Sequence, residues 1–251
     1  MIPHLNTQAD LDAALQSLIA QDPRLAPVLA ATGMPALRRR APGFAGLAGT
    51  ICGQQLSTFA AAAIWARIVA AFGEPTHHHF RTARADRLRR LGLSAAKIKT
   101  LKFLAREIDR EHINLAALAD TPADEAHALL TALHGVGPWT ADIYLLFCLG
   151  NGDAWPAGDL ALQEAVRIAL KLKARPGVKQ MADIADSWRP YRGAAAHLFW
   201  AYYRVAKMPG FDAAPPSSKA GAAARRKAAG TRIAAKPAAR PRARNKRPDA
   251  G

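Results

Sequence analysis

The chain has 251 residues, half of them apolar, with 35 Lys and Arg against 19 Asp and Glu and a formal net charge of +16. That apolar share supplies a buried core, and the charge favours a polyanionic partner. Two cysteines, Cys52 and Cys148, rule out a disulfide framework or a four-cysteine cluster, and no apolar run approaches membrane-spanning length.

Helical periodicity dominates in chain order. Thr7 reads as an N-cap for a helix whose Leu11, Leu15, Leu18 and Ile19 share a face, and Asp22-Pro23 ends it. After Arg40-Ala41-Pro42-Gly43, the run from Phe44 to Phe72 predicts two helices broken near Gly53, closed by the loop Gly73-Glu74-Pro75-Thr76. Ser94 is a plausible cap for a helix carrying Ile98, Leu101, Phe103, Leu104 and Ile108. Further helices are predicted at Pro122 to Leu133, Pro138 to Leu149, Leu160 to Leu172, Met181 to Trp188 and Gly193 to Val205. No segment alternates with period two, so the expected fold class is all-α.

From Asp212 to Gly251 eleven Lys and Arg stand against two Asp, a net of +9, which leaves +7 on the rest. Ile233 is the one large apolar side chain there, too little to offset ordering entropy, so 212–251 is expected to be a disordered basic tail. Two readings stay open: a solvated tail without a specific role, and non-specific attraction to DNA phosphates that salt would weaken. The first residues, Met1 to Asn6, lack the cationic flank and apolar core of a signal peptide. The expected setting is cytoplasmic, without membrane attachment, and nucleoid-associated where the basic charge meets DNA.

The stretch Leu133-His134-Gly135-Val136-Gly137-Pro138-Trp139-Thr140-Ala141 predicts a hairpin between two helices, and Asp159 follows 22 residues after Gly137. A tight Gly-Val-Gly turn needs backbone angles and close approach that a Cβ would obstruct, and Pro138 is pre-set for the first turn of the next helix. Outward backbone N–H groups there suit a phosphate oxygen and read no base. Gly135, Val136, Gly137 and Thr140 are the candidate backbone contacts. On its residues alone, Asp159 is either an ordinary N-cap before Leu160-Ala161-Leu162 or a catalytic carboxylate, and the roles are compatible because a helix N-terminus favours the anion. The neighbouring Asp153, in Asn151-Gly152-Asp153, reads as a turn residue.

Leu133 to Asp159 resembles the helix-hairpin-helix DNA glycosylase superfamily, in particular the DNA-3-methyladenine glycosylase II branch. Ile51-Cys52-Gly53-Gln54-Gln55-Leu56-Ser57 resembles that branch's Gly-Gln-Gln-Leu/Ile-Ser segment, and Gly92-Leu93-Ser94 with Lys97 resembles its Gly-Leu-Ser-x-x-Lys helix start. The resemblance runs from about Thr7 to Lys207. It implies a two-lobed helix-hairpin-helix fold, with 1–42 plus 156–211 as one lobe, 43–155 as the other, and DNA across the cleft. The additional N-terminal β-rich domain of some relatives is expected to be missing. Bifunctional members carry a lysine where this chain has Trp139, and the cluster cysteines of the endonuclease III branch are absent, so the resemblance implies a monofunctional enzyme.

The implied reaction is hydrolysis of the N-glycosidic bond of alkylated purines, of the 3-methyladenine and 7-methylguanine type, initiating base-excision repair. A flipped nucleotide, extruded at a cost of about a few kcal/mol, enters a pocket assigned to Trp139 and Trp200. Tyr144 is a further candidate lining residue, and Ile143 stands where relatives of the branch carry a tyrosine. Asp159 would stabilise the positive charge on the sugar, and an indole face attracts a cationic base by about 0.5 to 2 kcal/mol. The resemblance puts the wedge that fills the emptied stack at Gln55, with Leu56 and Gln54 beside it. The partner implied is double-stranded DNA with alkylated bases, bound by a monomer. No cofactor is required, although the carbonyls of Leu133, Gly135 and Val136 correspond to where relatives hold a monovalent cation. Two alternatives remain: a non-catalytic helix-hairpin-helix DNA-binding protein, and a glycosylase for deaminated or oxidised bases.

Two further runs are read as surface features. His77-His78-His79 offers adjacent rings that cannot form a tetrahedral metal shell without help. The run Arg81, Arg84, Arg87, Arg89 and Arg90 reads as a solvated helix face, with phosphate contact as the other possibility.

Overall fold

In a computed structural model, which describes residues 3–207, capping side chains start the helices where the sequence places them. Thr7 caps α1 (Gln8–Gln21) through a reciprocal box with Asp10: Asp10 N–H donates to Thr7 Oγ1 at 3.2 Å, and Thr7 N–H to Asp10 Oδ2 at 2.8 Å. Leu11, Leu15 and Leu18 are fully buried along its inner face, each stabilising the fold by roughly 1.5–3 kcal/mol. Asp22 stops the helix, and its buried carboxylate accepts from Arg24 and from Trp188 Nε1 at 2.8 Å. The guanidinium beside Asp22 holds its carboxyl below the usual range.

A short α2 (Ala26–Thr32) and an irregular stretch lead into α3 (Gly43–Gly53), which is apolar nearly throughout and buried. Ser57 caps α4 (Thr58–Phe72), Thr76 caps α5 (His77–Thr82), and α6 (Ala85–Arg90) follows at once. Ser94 caps α7 (Ala95–Asp109), the predicted cap and helix. α8 (Ala123–Thr131) precedes the hairpin, and α9 (Pro138–Ile143) passes without a break into a π-helical stretch, Tyr144–Leu149. The sequence predicts one regular helix across Pro138 to Leu149; its second half takes the wider turn instead, with every residue from Tyr144 to Leu149 buried.

The segment after the π-helical stretch folds back on the N-terminus. His4 and Asn151 form an isolated antiparallel bridge, and Leu5 N–H donates to Gly150 O at 2.7 Å. Asp159 caps α10 (Leu160–Ala169), followed by α11 (Val178–Asp186) and α12 (Arg192–Lys207). α12 packs on α1, α2 and α10 through Ala194, Ala195, Ala196, Leu198, Phe199 and Trp200. Among the described residues the fold is all-α, and no helix is long and apolar enough to cross a membrane. The tail expected over 212–251 lies outside the described residues.

Helix α2 has no counterpart among the expected helices, and the helix face expected of the arginine run is divided between α5, which carries Arg81, and α6, which Arg84 precedes and which carries Arg87, Arg89 and Arg90. α5 and α6 absorb both surface runs. His79 completes the cap of α5 and stacks on Phe72 at 5.3 Å, while Arg87 lies 4.5 Å over the Phe72 ring and Arg84 and Arg90 pair with Asp86.

Candidate functional site

The site is assembled around the junction between α3 and α4. Lys97, one turn into α7, donates from Nζ to the carbonyls of Cys52 at 2.7 Å and Gln54 at 2.9 Å, a cation at the negative end of α3. Partial burial pushes the Lys97 ammonium below the usual lysine range. From the other side, Gln54 Nε2 donates to Thr140 Oγ1 at 2.9 Å and to Gly135 O at 3.2 Å, tying the junction to the hairpin. Pinned on both sides, the chain turns through Gln55 at φ +57, a left-handed conformation uncommon for a side-chain-bearing residue. Gln55 is exposed, while Leu56 is partly buried against the core.

The two hairpin glycines have different reasons to be glycine. Gly135 has φ +81, and a Cβ there would collide with the Thr100 side chain on α7. Gly137 has φ −89 and is the N-cap position of α9; a Cβ there would meet nothing within 4 Å. The protein itself demands only the first glycine, so the second leaves room for something outside it.

A cavity of about 490 Å³ opens beside this junction. Ala45, Gly46, Gly49, Thr50 and Gly53 of α3 and Thr58, Ala61, Ala62 and Trp65 of α4 form a wall of mostly small residues. Trp139, Ile143 and Phe147 face it at four-residue spacing, with Arg38, Arg40, Ala41, Asp159 and Trp200 completing the lining. Phe147 and Trp200 lie with ring centres 5.3 Å apart, and the Arg40 guanidinium lies 5.4 Å over Phe147.

Asp159 is 5% exposed and surrounded by N–H donors. Its Oδ1 accepts from the backbone amides of Ala161 and Leu162, both at 3.0 Å, and from Trp200 Nε1 at 3.2 Å. Its Oδ2 accepts from Trp139 Nε1 at 3.0 Å. Two peptide donors at a helix N-terminus and two indole donors solvate one negative charge at a cavity wall. The cap and the cavity carboxylate are thus the same group.

Several expected site residues lie elsewhere. Tyr144 does not line the cavity: it is fully buried in the π-helical stretch, burial pushes its phenol up, and its hydroxyl has no hydrogen-bond partner. The Val136 and Thr140 side chains are buried, the Thr140 hydroxyl bound by Gln54, which leaves the expectation of a contact through the hairpin's backbone N–H groups as it was. Gln54 is engaged inside the protein, which leaves Gln55 as the outward member of the predicted wedge. The Leu133 carbonyl accepts from Val136 N–H at 3.1 Å and the Gly135 carbonyl from the Gln54 amide, so a cation there would compete with these donors. The neighbouring acid, Asp153, is held by Arg189 at 2.9 Å and Arg192 at 2.8 Å in an ion-pair cluster that does not line the cavity.

Sequence reasoning missed Trp65, Phe147, Arg38 and Arg40 as lining residues. The four-residue spacing from Trp139 through Ile143 to Phe147 was the available signal for Phe147.

Comparison with known proteins agrees with this geometry. The HhH-GPD superfamily of base excision DNA repair proteins matches residues 48–190. The chain is 31% identical over 208 residues to the probable bifunctional transcriptional activator/DNA repair enzyme AlkA of Mycobacterium tuberculosis, covering 78% of this chain and 40% of that protein. It is 30% identical over 160 residues to DNA-3-methyladenine glycosylase 1 of Schizosaccharomyces pombe, covering 62% of this chain and 70% of that one. Among solved structures, the Schizosaccharomyces pombe 3-methyladenine DNA glycosylase in complex with abasic DNA superposes with a TM-score of 0.69 at 25% identity, covering 80% of this chain and 99% of that chain. The DNA-3-methyladenine glycosidase of Bacillus halodurans gives 0.68 at 26% identity, covering 77% and 89%. With its hairpin, its cavity and its matched span in agreement, the chain belongs to the HhH-GPD superfamily of base excision DNA repair proteins.

Proposed function

We propose that the chain is a monofunctional DNA glycosylase that hydrolyses the N-glycosidic bond of alkylated purines in duplex DNA. The observation that carries this reading is Asp159, a carboxylate held by four N–H donors on the wall of an aromatic-lined cavity. As the C1′–N bond breaks, its electron pair leaves with the base and positive charge develops on the sugar. A carboxylate already solvated by fixed dipoles stabilises that charge without reorganising. Water then adds to C1′ and gives up a proton. Trp139 stands where an attacking lysine would, and the nearby Lys97 is bound to carbonyls, so no amine at this site completes the displacement.

The surrounding features support the same reading. Arg38, Arg40, Ala41, Asp159 and Trp200 come from one expected lobe and the remaining lining residues from the other, as a cleft across which DNA lies would require. Gly135 and Gly137 present the hairpin to the DNA backbone, and Gln55 fills the emptied stack. Relatives named 3-methyladenine glycosylases and a structural neighbour holding abasic DNA support the substrate class.

One observation favours a wider lesion range. Arg38 and Arg40 in the lining oppose a cationic base and suit a neutral one with an acceptor edge, such as a deaminated purine. A panel of duplexes bearing 3-methyladenine, 7-methylguanine, hypoxanthine, uracil or 8-oxoguanine tests both readings. Release of the alkylated purines, without a borohydride-trapped covalent complex, is the expected result. DNA binding with no base released from any duplex would leave a non-catalytic binding protein.

A further inference from the structure

Phe59 is 85% exposed, more than any other large apolar side chain among the described residues. Single exposed apolar residues are ordinary; its position is what sets it apart. Phe59 stands in the first turn of α4, the turn whose Thr58, Ala61 and Ala62 line the cavity. It follows by four residues the outward, left-handed Gln55. The helix beneath it is fixed by the Ser57 cap, by buried Ile64 and Ile68, and by the anchored junction before it. Close in sequence to the cavity-lining residues Gly53 and Thr58, the protein thus exposes one amide and one aromatic ring, both on a rigid support.

We propose that Phe59 is a stacking residue for lesion-containing duplex, packing on the bases beside the flipped nucleotide while Gln55 enters the gap; this rests on the glycosylase reading. Extruding a nucleotide leaves base faces without a neighbour. An amide can hydrogen-bond an orphaned base but offers little stacking area, which an aromatic ring supplies. The ring is uncharged, so its contribution should not depend on salt, unlike a phosphate contact. The competing occupant is a protein surface or a second copy covering the exposed side of α4, where Ala66 and Val69 are also exposed.

The test uses the full chain with Phe59→Ala and Phe59→Trp, and duplexes with and without a tetrahydrofuran abasic-site analogue. Phe59→Ala is expected to bind the abasic duplex about tenfold more weakly, with an unchanged slope of affinity against salt, and Phe59→Trp to restore binding. Base release from single-stranded lesion DNA should be the same in all three, since no stack needs filling and a damaged fold would slow it. Parent-like affinity in Phe59→Ala overturns the proposal, as does a loss of self-association with DNA affinity intact. If the parent does not prefer the abasic duplex, the glycosylase reading falls and this one with it. If the parent prefers it and Phe59→Ala binds it as tightly as the parent does, only the stacking assignment falls.

Discussion

The indole of Trp139 donates to Oδ2 of Asp159 at 3.0 Å, joining the hairpin helix to the cap of α10 across 20 residues of sequence. Trp200 makes the matching bond to Oδ1 from α12. Both tryptophans therefore have a role beyond forming cavity walls: they fix the position of the carboxylate relative to whatever enters. An aromatic face for the base and an N–H for the acid reside in one side chain.

Trp139→Phe separates these two roles. It keeps an aromatic wall but removes the donor to Oδ2, and a hydrogen bond to a charged group is worth roughly 1.5–3 kcal/mol. The single-turnover rate of base release should fall about ten- to a hundredfold, with duplex affinity little changed. Tyr144→Phe is the control: its hydroxyl is buried and unpartnered outside the cavity. Its rate should be unchanged and its stability equal or higher by up to about 1 kcal/mol.

The hairpin glycines are expected to fail in different assays. Gly135→Ala meets Thr100 at a positive φ and should cost about 2–4 kcal/mol of stability in urea titrations. Gly137→Ala has an allowed backbone and open space around the new methyl. Its stability should be unchanged or slightly raised while duplex affinity drops tenfold or more. A Gly137→Ala protein that binds duplex normally would remove the hairpin from the DNA interface.

His197 gives the fold an acid sensitivity distinct from that of its carboxylates. Its Nδ1 meets the Gly193 carbonyl at 2.9 Å, its Nε2 is buried without a partner, and burial, with smaller effects from Arg38 and Arg39, pushes it down to about 4. Between pH 6.5 and 4 the unfolded chain takes up this proton and the folded chain does not. The contribution of about 3 kcal/mol is therefore present at neutral pH and lost as pH falls through that window. Asp142 acts in the opposite sense, because burial raises its carboxyl, so its contribution is lost as pH rises. Comparing the chain with His197→Gln isolates the histidine: urea midpoints from pH 7 to pH 4.5 should fall less in the variant. Equal slopes would contradict this assignment.

Features set by local chemistry were legible in the sequence. Thr7, Ser94 and Asp159 cap the helices assigned to them because capping needs only a side-chain oxygen and a few following residues. The all-α class, the break after Gly53 and the hairpin were legible for the same reason. What depended on distant partners was not. Gln54 reads as a wedge until Thr140 and Gly135 arrive from 86 and 81 residues away to engage it. Tyr144 reads as cavity lining until packing encloses it in the core, while Phe147, four residues beyond Ile143, lies on the cavity side. The arginine run reads as one helix face, and its division between the short α5 and α6 was not legible because six residues give too little periodicity to register.

The central claim is that Asp159 performs the chemistry. Asp159→Asn replaces the anion with a neutral amide of nearly the same shape, and turning its NH₂ toward Trp139 would set donor against donor. Measured as single-turnover release of 3-methyladenine from a duplex, alongside affinity for an abasic-site duplex, the variant should lose at least about a hundred- to a thousandfold in rate and keep its affinity within severalfold. Release at the parent rate from Asp159→Asn would contradict the account.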